Sequence, residues 1–74
     1  MRIQVKSTLD SQALLRLGYQ LVVIEGGYVS KDGATIVYLF RAPYNGEVSQ
    51  FRAGTEDQHV KNVQQLREAG YLEE

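Results

Sequence analysis

The segment Glu25–Phe40, EGGYVSKDGATIVYLF, is the first candidate for chemistry, because glycines with a lysine can form a phosphate-binding loop. Such a loop needs backbone amides that open a helix, with the lysine directly after the last glycine. Here Lys31 comes before Asp32 and Gly33, and a β-rich run follows them. The order of these residues therefore predicts a tight turn between two strands.

The remaining reactive side chains do not form a catalytic or metal-binding pattern. The chain has one histidine, no cysteine and scattered carboxylates, so no metal-ligand spacing and no nucleophile–base–orienter set is found. His59 falls in the first turn of a predicted helix, and Glu56 and Asp57 suit the positive end of its dipole. We therefore expect no enzymatic activity, no bound metal and no small-molecule cofactor.

Composition predicts one soluble globular domain over residues 1–74. Apolar residues make up 43% of the chain and charged residues 23%, which is typical of a chain that folds around a core. No apolar run approaches the roughly 20 residues of a membrane span, and Met1 leads into a polar stretch unlike a signal peptide. We expect a cytoplasmic protein that does not contact a membrane.

Two turn dipeptides separate the β-rich runs. Asp32–Gly33 and Asn45–Gly46 both suit the positive φ angles of two-residue hairpin turns. Gly26–Gly27 interrupts the first run and indicates a bend. The pattern predicts a three-stranded antiparallel meander whose strands lie within residues 19–30, 35–41 and 48–52.

Capping signals place a helix on each side of the meander. Thr55 to Gln58 has the form of a capping box, and Gly70 can end the helix that it starts. A short first helix should begin near Thr8 to Ser11 and end at Gly18, and residues 2–6 alternate like an edge strand. The predicted fold class is α+β: a short N-terminal helix, the meander with a possible extra N-terminal edge strand, and a C-terminal helix packed on one sheet face.

The two turns also predict which residues share a face of the sheet. Counting outward from them gives four cross-strand pairs: Val29 with Ile36, Tyr28 with Val37, Phe40 with Phe51, and Leu39 with Arg52. We predict that the C-terminal helix, through Val63 and Leu66, covers one face and forms the core there. That face carries Val23, Val29, Ile36, Tyr38, Phe40, Phe51 and Ala53.

The opposite face mixes aliphatic and polar residues: Val22, Ile24, Tyr28, Thr35, Val37, Leu39, Arg41, Gln50 and Arg52. The first helix, another subunit or a ligand could cover such a face, and these alternatives stay open. The residues that we expect to contact a partner are Tyr28, Leu39, Arg41, Gln50 and Arg52.

Two function classes fit such a face. The order helix, three strands, helix is similar to the double-stranded RNA-binding domain, and the strands with the C-terminal helix resemble the arm-type DNA-binding domain of phage integrases. These resemblances imply nucleic-acid binding through arginine and tyrosine side chains on the sheet. The RNA-binding family places lysines at the start of its last helix, where this chain has Glu56 and Asp57.

The distribution of charge favours the second function class, binding to a protein. Residues 1–53 hold six basic and four acidic side chains (6 − 4 = +2), and residues 54–74 hold two and five (2 − 5 = −3), which together give the net charge of −1. Nucleic-acid binding draws on a concentrated basic patch. We therefore favour a small non-catalytic regulator or inhibitor that binds another protein or a second copy of itself, with nucleic-acid binding as the alternative.

Overall fold

The computed structural model describes residues 3–39 and 46–73, which form one antiparallel sheet and two helices. The five strands lie in the order β1-β5-β4-β3-β2. The α+β class is therefore confirmed, as are the N-terminal edge strand and the C-terminal helix. The elements are β1 Ile3–Gln4, α1 Ser11–Arg16, β2 Gln20–Val22, β3 Gly27–Val29, β4 Ile36–Tyr38, β5 Glu47–Val48 and α2 Glu56–Glu68.

The run predicted as one bent strand is two strands joined by a tight reversal. The backbone N–H groups of Glu25 and Gly26 donate to Val22 O at 3.1 and 2.8 Å. Gly26 has a φ of 68°, which glycine adopts without strain. The meander therefore has four strands, β2 to β5. The three strands between the helices that the likeness to the RNA-binding family requires, and the three strands before the last helix of the integrase arm-type domain, are not observed.

The register of the sheet agrees with the prediction on one side of β4 only. Tyr28 pairs with Val37 and Val29 with Ile36, as counting from Asp32–Gly33 predicts. On the other side Val37 pairs with Val48 and Tyr38 with Glu47, so the predicted pair of Leu39 with Arg52 is wrong. Phe40, predicted to pair with Phe51, lies outside the described residues. This register buries Val48 between β4 and β1. The predicted turn at Asn45–Gly46 includes Asn45, which lies outside the described residues.

The core lies on the opposite face of the sheet from the one predicted. Residues of both helices belong to the buried cluster that contains Val37 and Val48: Ala13 and Leu14 of α1, and Val63 and Leu66 of α2. Val23, Phe51 and Ala53, which were predicted to be buried, are exposed. The buried core residues are Val5, Leu9, Ala13, Leu14, Tyr19, Val37, Val48, Val63, Leu66 and Leu72.

Both helices begin and end where their capping signals predict. Asp10 Oδ1 accepts a hydrogen bond from Ala13 N at 2.8 Å at the start of α1. At the start of α2, Thr55 Oγ1 accepts from Gln58 N at 3.2 Å, and Gln58 Oε1 accepts from Thr55 N at 3.0 Å. These reciprocal bonds confirm the capping box and fix the point at which the chain turns into α2.

Each helix ends in the same way, at a glycine with positive φ. Tyr19 N donates to Leu14 O at 2.9 Å across Gly18, and Tyr71 N donates to Leu66 O at 3.0 Å across Gly70. Such bonds satisfy carbonyl groups that the last helical turn leaves free. They also lead the chain from α1 directly into β2.

Candidate functional site

The five residues predicted to contact a partner do not share an open face. Tyr28 and Leu39 are half-buried and pack against the core. Gln50 and Arg52 are exposed, and Arg41 lies outside the described residues. The premise of one open surface is therefore wrong, because the two helices cover the face that carries Tyr28 and Leu39. Whether any of the five touches a partner stays a prediction.

Arg52 brings two separate segments of the surface together. Its Nη2 atom lies 3.2 Å from Glu25 Oε1, so the segment after β5 lies beside the turn between β2 and β3. Both side chains are partly solvated, and an exposed ion pair of this kind contributes little to stability. It places the side chain of Arg52 beside the turn.

The turn between β2 and β3 carries the two most exposed large apolar side chains of residues 3–39 and 46–73. Val23 is 82% exposed and Ile24 is 97% exposed, and Phe51, the chain neighbour of Arg52, is 46% exposed. We call Val23, Ile24 and Phe51 the turn patch. Sequence reasoning missed it because residues 19–25 read as a continuous strand, which would have placed Val23 and Ile24 on opposite faces.

A polar network joins α2 to the turn between β3 and β4, and we define it by Ser30, Asp32, Thr35, His59 and Asn62. Asn62 Nδ2 lies 2.9 Å from Thr35 Oγ1 and 3.1 Å from Asp32 Oδ1. Thr35 Oγ1 lies 3.0 Å from His59 Nδ1. Ser30 Oγ donates to Asp32 Oδ1 at 2.6 Å. The network therefore connects residues 30–35 to the first two turns of α2.

The donor groups set the direction of these hydrogen bonds. Asn62 Nδ2 can only donate, so Thr35 Oγ1 accepts its bond. Between Thr35 Oγ1 and His59 Nδ1 the donor is set by which ring nitrogen carries the hydrogen. Burial lowers the pKa of His59 below its ordinary value of 6.5, so the ring is neutral at pH 7.

A hydroxyl beside an imidazole is also the beginning of a nucleophilic site. Here Thr35 is 0% exposed, so a substrate cannot reach its hydroxyl. The carboxylate of Asp32 bonds to Ser30, Ala34 and Asn62 and so does not orient the imidazole of His59. We therefore interpret the polar network as a structural tie between sheet and helix.

Asp32 is the ionised centre of this tie. Burial raises the pKa of its carboxyl group, but hydrogen bonds from Ser30 Oγ, Ala34 N and Asn62 Nδ2 outweigh that effect and lower the pKa below 3.8. Each of these donors is oriented toward the charged form. The carboxylate therefore stays ionised at neutral pH and fixes the turn at Gly33, whose φ is 75°.

Tyr19 carries a buried hydroxyl that the fold does not use. The residue is 3% exposed, and its hydroxyl has no hydrogen-bond partner in residues 3–39 and 46–73. Burial and then the negative charge of Asp32 raise the pKa of this hydroxyl. The group therefore stays protonated, and its role in the core is that of an aromatic ring.

In the described part of the chain, no three histidine, cysteine, aspartate or glutamate side chains are grouped so that they could hold a metal ion. Neither of its helices combines the length and the apolar character that crossing a membrane requires. Comparisons of the chain with protein-family models, with curated proteins and with solved structures found no match.

Proposed function

We propose that this protein is a small non-catalytic regulator or inhibitor that binds another protein, and that the turn patch is its contact surface. The exposure of Val23 and Ile24 carries this proposal. Two adjacent branched side chains in water contribute nothing to the stability of the isolated domain. Burying either one against a partner would contribute about 1.5–3 kcal/mol.

The backbone of the turn supports the same role. Its amides at Glu25 and Gly26 are bonded to Val22 O, so Val23 and Ile24 are presented on a closed turn. A surface held in its binding conformation loses less entropy when it binds. Ile24 would therefore act as an anchor that enters a pocket on the partner.

The residues around the turn patch are of types that are common in protein–protein interfaces. Phe51 and Arg52 belong to the aromatic and arginine residues that are enriched there. Glu25 holds Arg52 at the border of the patch, and Gln50 is exposed close by in the chain. Of the five residues predicted from sequence, Gln50 and Arg52 therefore fit the rim of this surface.

Nucleic-acid binding is less well supported by the same residues. Arg52 is paired with a carboxylate, and Glu56 and Asp57 lie in the first turn of α2. These carboxylates oppose the binding of phosphate groups beside them. Protein binding therefore ranks above nucleic-acid binding.

An affinity capture with two matched variants tests this proposal. Ile24→Asn removes the anchor, and Val60→Asn removes an exposed apolar side chain of α2 outside the patch. In helices valine and asparagine have similar propensities, so the control should fold as the parent does. Each bait is exposed to extract of the source cell with and without nuclease treatment, and bound proteins are quantified by mass spectrometry.

We expect proteins that the parent and Val60→Asn capture and that Ile24→Asn loses by about tenfold or more. Capture that is equal for all three baits would show that the patch is not the contact surface. Capture that disappears with nuclease treatment would favour the nucleic-acid alternative.

A further inference from the structure

The two edges of the sheet end differently. At the β1 edge, Lys6 N donates to Tyr71 O at 2.7 Å and Glu73 N donates to Gln4 O at 2.9 Å, so the C-terminal segment covers the outer side of the strand. At the other edge, β2 pairs with β3 alone. Among the residues that the structure describes, none forms a ladder with the outer side of β2.

The register shows which backbone groups this edge presents. Ser30 N donates to Thr35 O, so Ser30 and Tyr28 direct their backbone groups toward β4. In an antiparallel sheet these directions alternate along a strand. Val29 therefore bonds toward Gln20 of β2. Leu21, opposite Tyr28, directs both its N–H and its C=O away from the sheet.

The side chains along this edge do not protect it from pairing. Native edge strands are often blocked by charged residues, proline or a bulge. The segment 17–24, LGYQLVVI, contains no charged residue and no proline. Leu21, at the centre of the strand, is largely exposed. The edge thus offers free backbone N–H and C=O groups beside uncharged side chains. A further strand can add to such an edge through main-chain hydrogen bonds.

We propose that β2 pairs in antiparallel orientation with β2 of a second copy of this chain, about a twofold axis at Leu21. The N–H and C=O groups of the two Leu21 residues would exchange a pair of hydrogen bonds, and Gln20 of each copy would oppose Val22 of the other. The two five-stranded sheets would then form one continuous sheet of about ten strands.

The lack of charged residues along β2 favours a second copy of this chain as the partner of this edge. Antiparallel pairing of identical strands places each residue type near itself at the axis, so any charge there would meet its like. Because Gln20, Leu21 and Val22 are uncharged, self-pairing meets no repulsion. A charged partner strand, in turn, would find no opposite charge along the edge to attract it.

The short strand sets the strength of this dimer. β2 has three residues, so the pairing buries less than the roughly 1,200 Å² of a stable complex and should be weak and reversible. The dimer uses a different surface from the turn patch, and it does not depend on the proposed protein-binding function. It also replaces the dimer expected from sequence, whose face the helices cover.

Sedimentation equilibrium tests the dimer directly, over concentrations from about 10 to 500 µM. We expect the parent to change from monomer to dimer across this range. Leu21→Lys and Leu21→Glu should each weaken dimerisation by about tenfold, and an equimolar mixture of the two should restore it. Val60→Lys and Val60→Glu are the controls and should dimerise as the parent does.

Hydrogen exchange of backbone amides tests the same pairing in the parent protein, without any substitution. Amide exchange followed by NMR should show that the Leu21 amide becomes protected as the parent concentration rises. The Gln20 and Val22 amides, which bond to β3 in each copy, should keep constant protection. A parent that stays monomeric at the highest concentration would overturn the proposal. So would a dimer that Leu21→Lys leaves intact, or one whose Leu21 amide shows no change.

Discussion

Replacing Asn62 with alanine should destabilise the fold, because Asn62 donates the bonds that join α2 to the turn between β3 and β4. Its Nδ2 atom lies 2.9 Å from Thr35 Oγ1, 3.1 Å from Asp32 Oδ1 and 3.3 Å from Ser30 Oγ. The amide has only two hydrogens, so it makes two full bonds at a time. Loss of the side chain would leave the buried Thr35 hydroxyl without this donor.

The expected magnitude follows from these two bonds. The bond to the neutral hydroxyl of Thr35 contributes about 1 kcal/mol, and the bond to the exposed carboxylate of Asp32 about 1.5 kcal/mol, the lower end for a charged acceptor. Alanine regains roughly 0.6 kcal/mol through its better helix propensity. The free energy of unfolding should therefore fall by about 2 kcal/mol, which lowers Tm by about 8–16 °C for a domain of this size.

Thermal unfolding followed by circular dichroism measures this change. Gln65→Ala is the matched control, because Gln65 is exposed on the same helix and its replacement should raise Tm slightly or leave it unchanged. A Tm for Asn62→Ala within about 2 °C of the parent would refute the structural role of the polar network.

Three further predictions concern single groups. Tyr19→Phe should leave the free energy of unfolding in urea unchanged or raise it by up to about 1 kcal/mol, since it removes a buried hydroxyl without a partner. A fall of more than about 1 kcal/mol would show that the hydroxyl makes a stabilising hydrogen bond. Thr55→Ala should cost roughly 1 kcal/mol in the same assay by removing the acceptor of Gln58 N, and unchanged stability would contradict the capping box. Because burial lowers the pKa of His59, the unfolded chain binds a proton first as pH falls; stability should therefore drop below pH 6.5 and level off below the folded pKa. His59→Gln should remove that step from a series of unfolding curves at different pH.

Local signals in the sequence predicted the local structure. The capping residues around α1 and α2 and the turn at Asp32–Gly33 act over four or five residues, so their outcome depends little on the rest of the chain. The bounds of both helices and the register between β3 and β4 follow from them. At Gly26–Gly27 the sequence predicts only a bend, because Val23 and Ile24 in the turn have side chains typical of a strand.

The choice of core face could not be made from the pattern. Val29 and Ile36 lie on one face and Tyr28 and Val37 on the other, so both faces are apolar and alternation does not distinguish them. Contacts far apart in sequence decide it, above all the bonds of α2 residues His59 and Asn62 to Thr35. A threonine in an apolar strand was the available signal for that contact.

Site-specific photo-cross-linking tests the central claim, that the turn patch binds another protein. A photoreactive residue is placed at Ile24, or at Val60 as the control, and the source cell is irradiated. We expect discrete heavier adducts from position 24, containing a different protein, and none of the same mass from position 60. Identical adducts from both positions, or adducts at position 60 alone, would contradict the proposed contact surface.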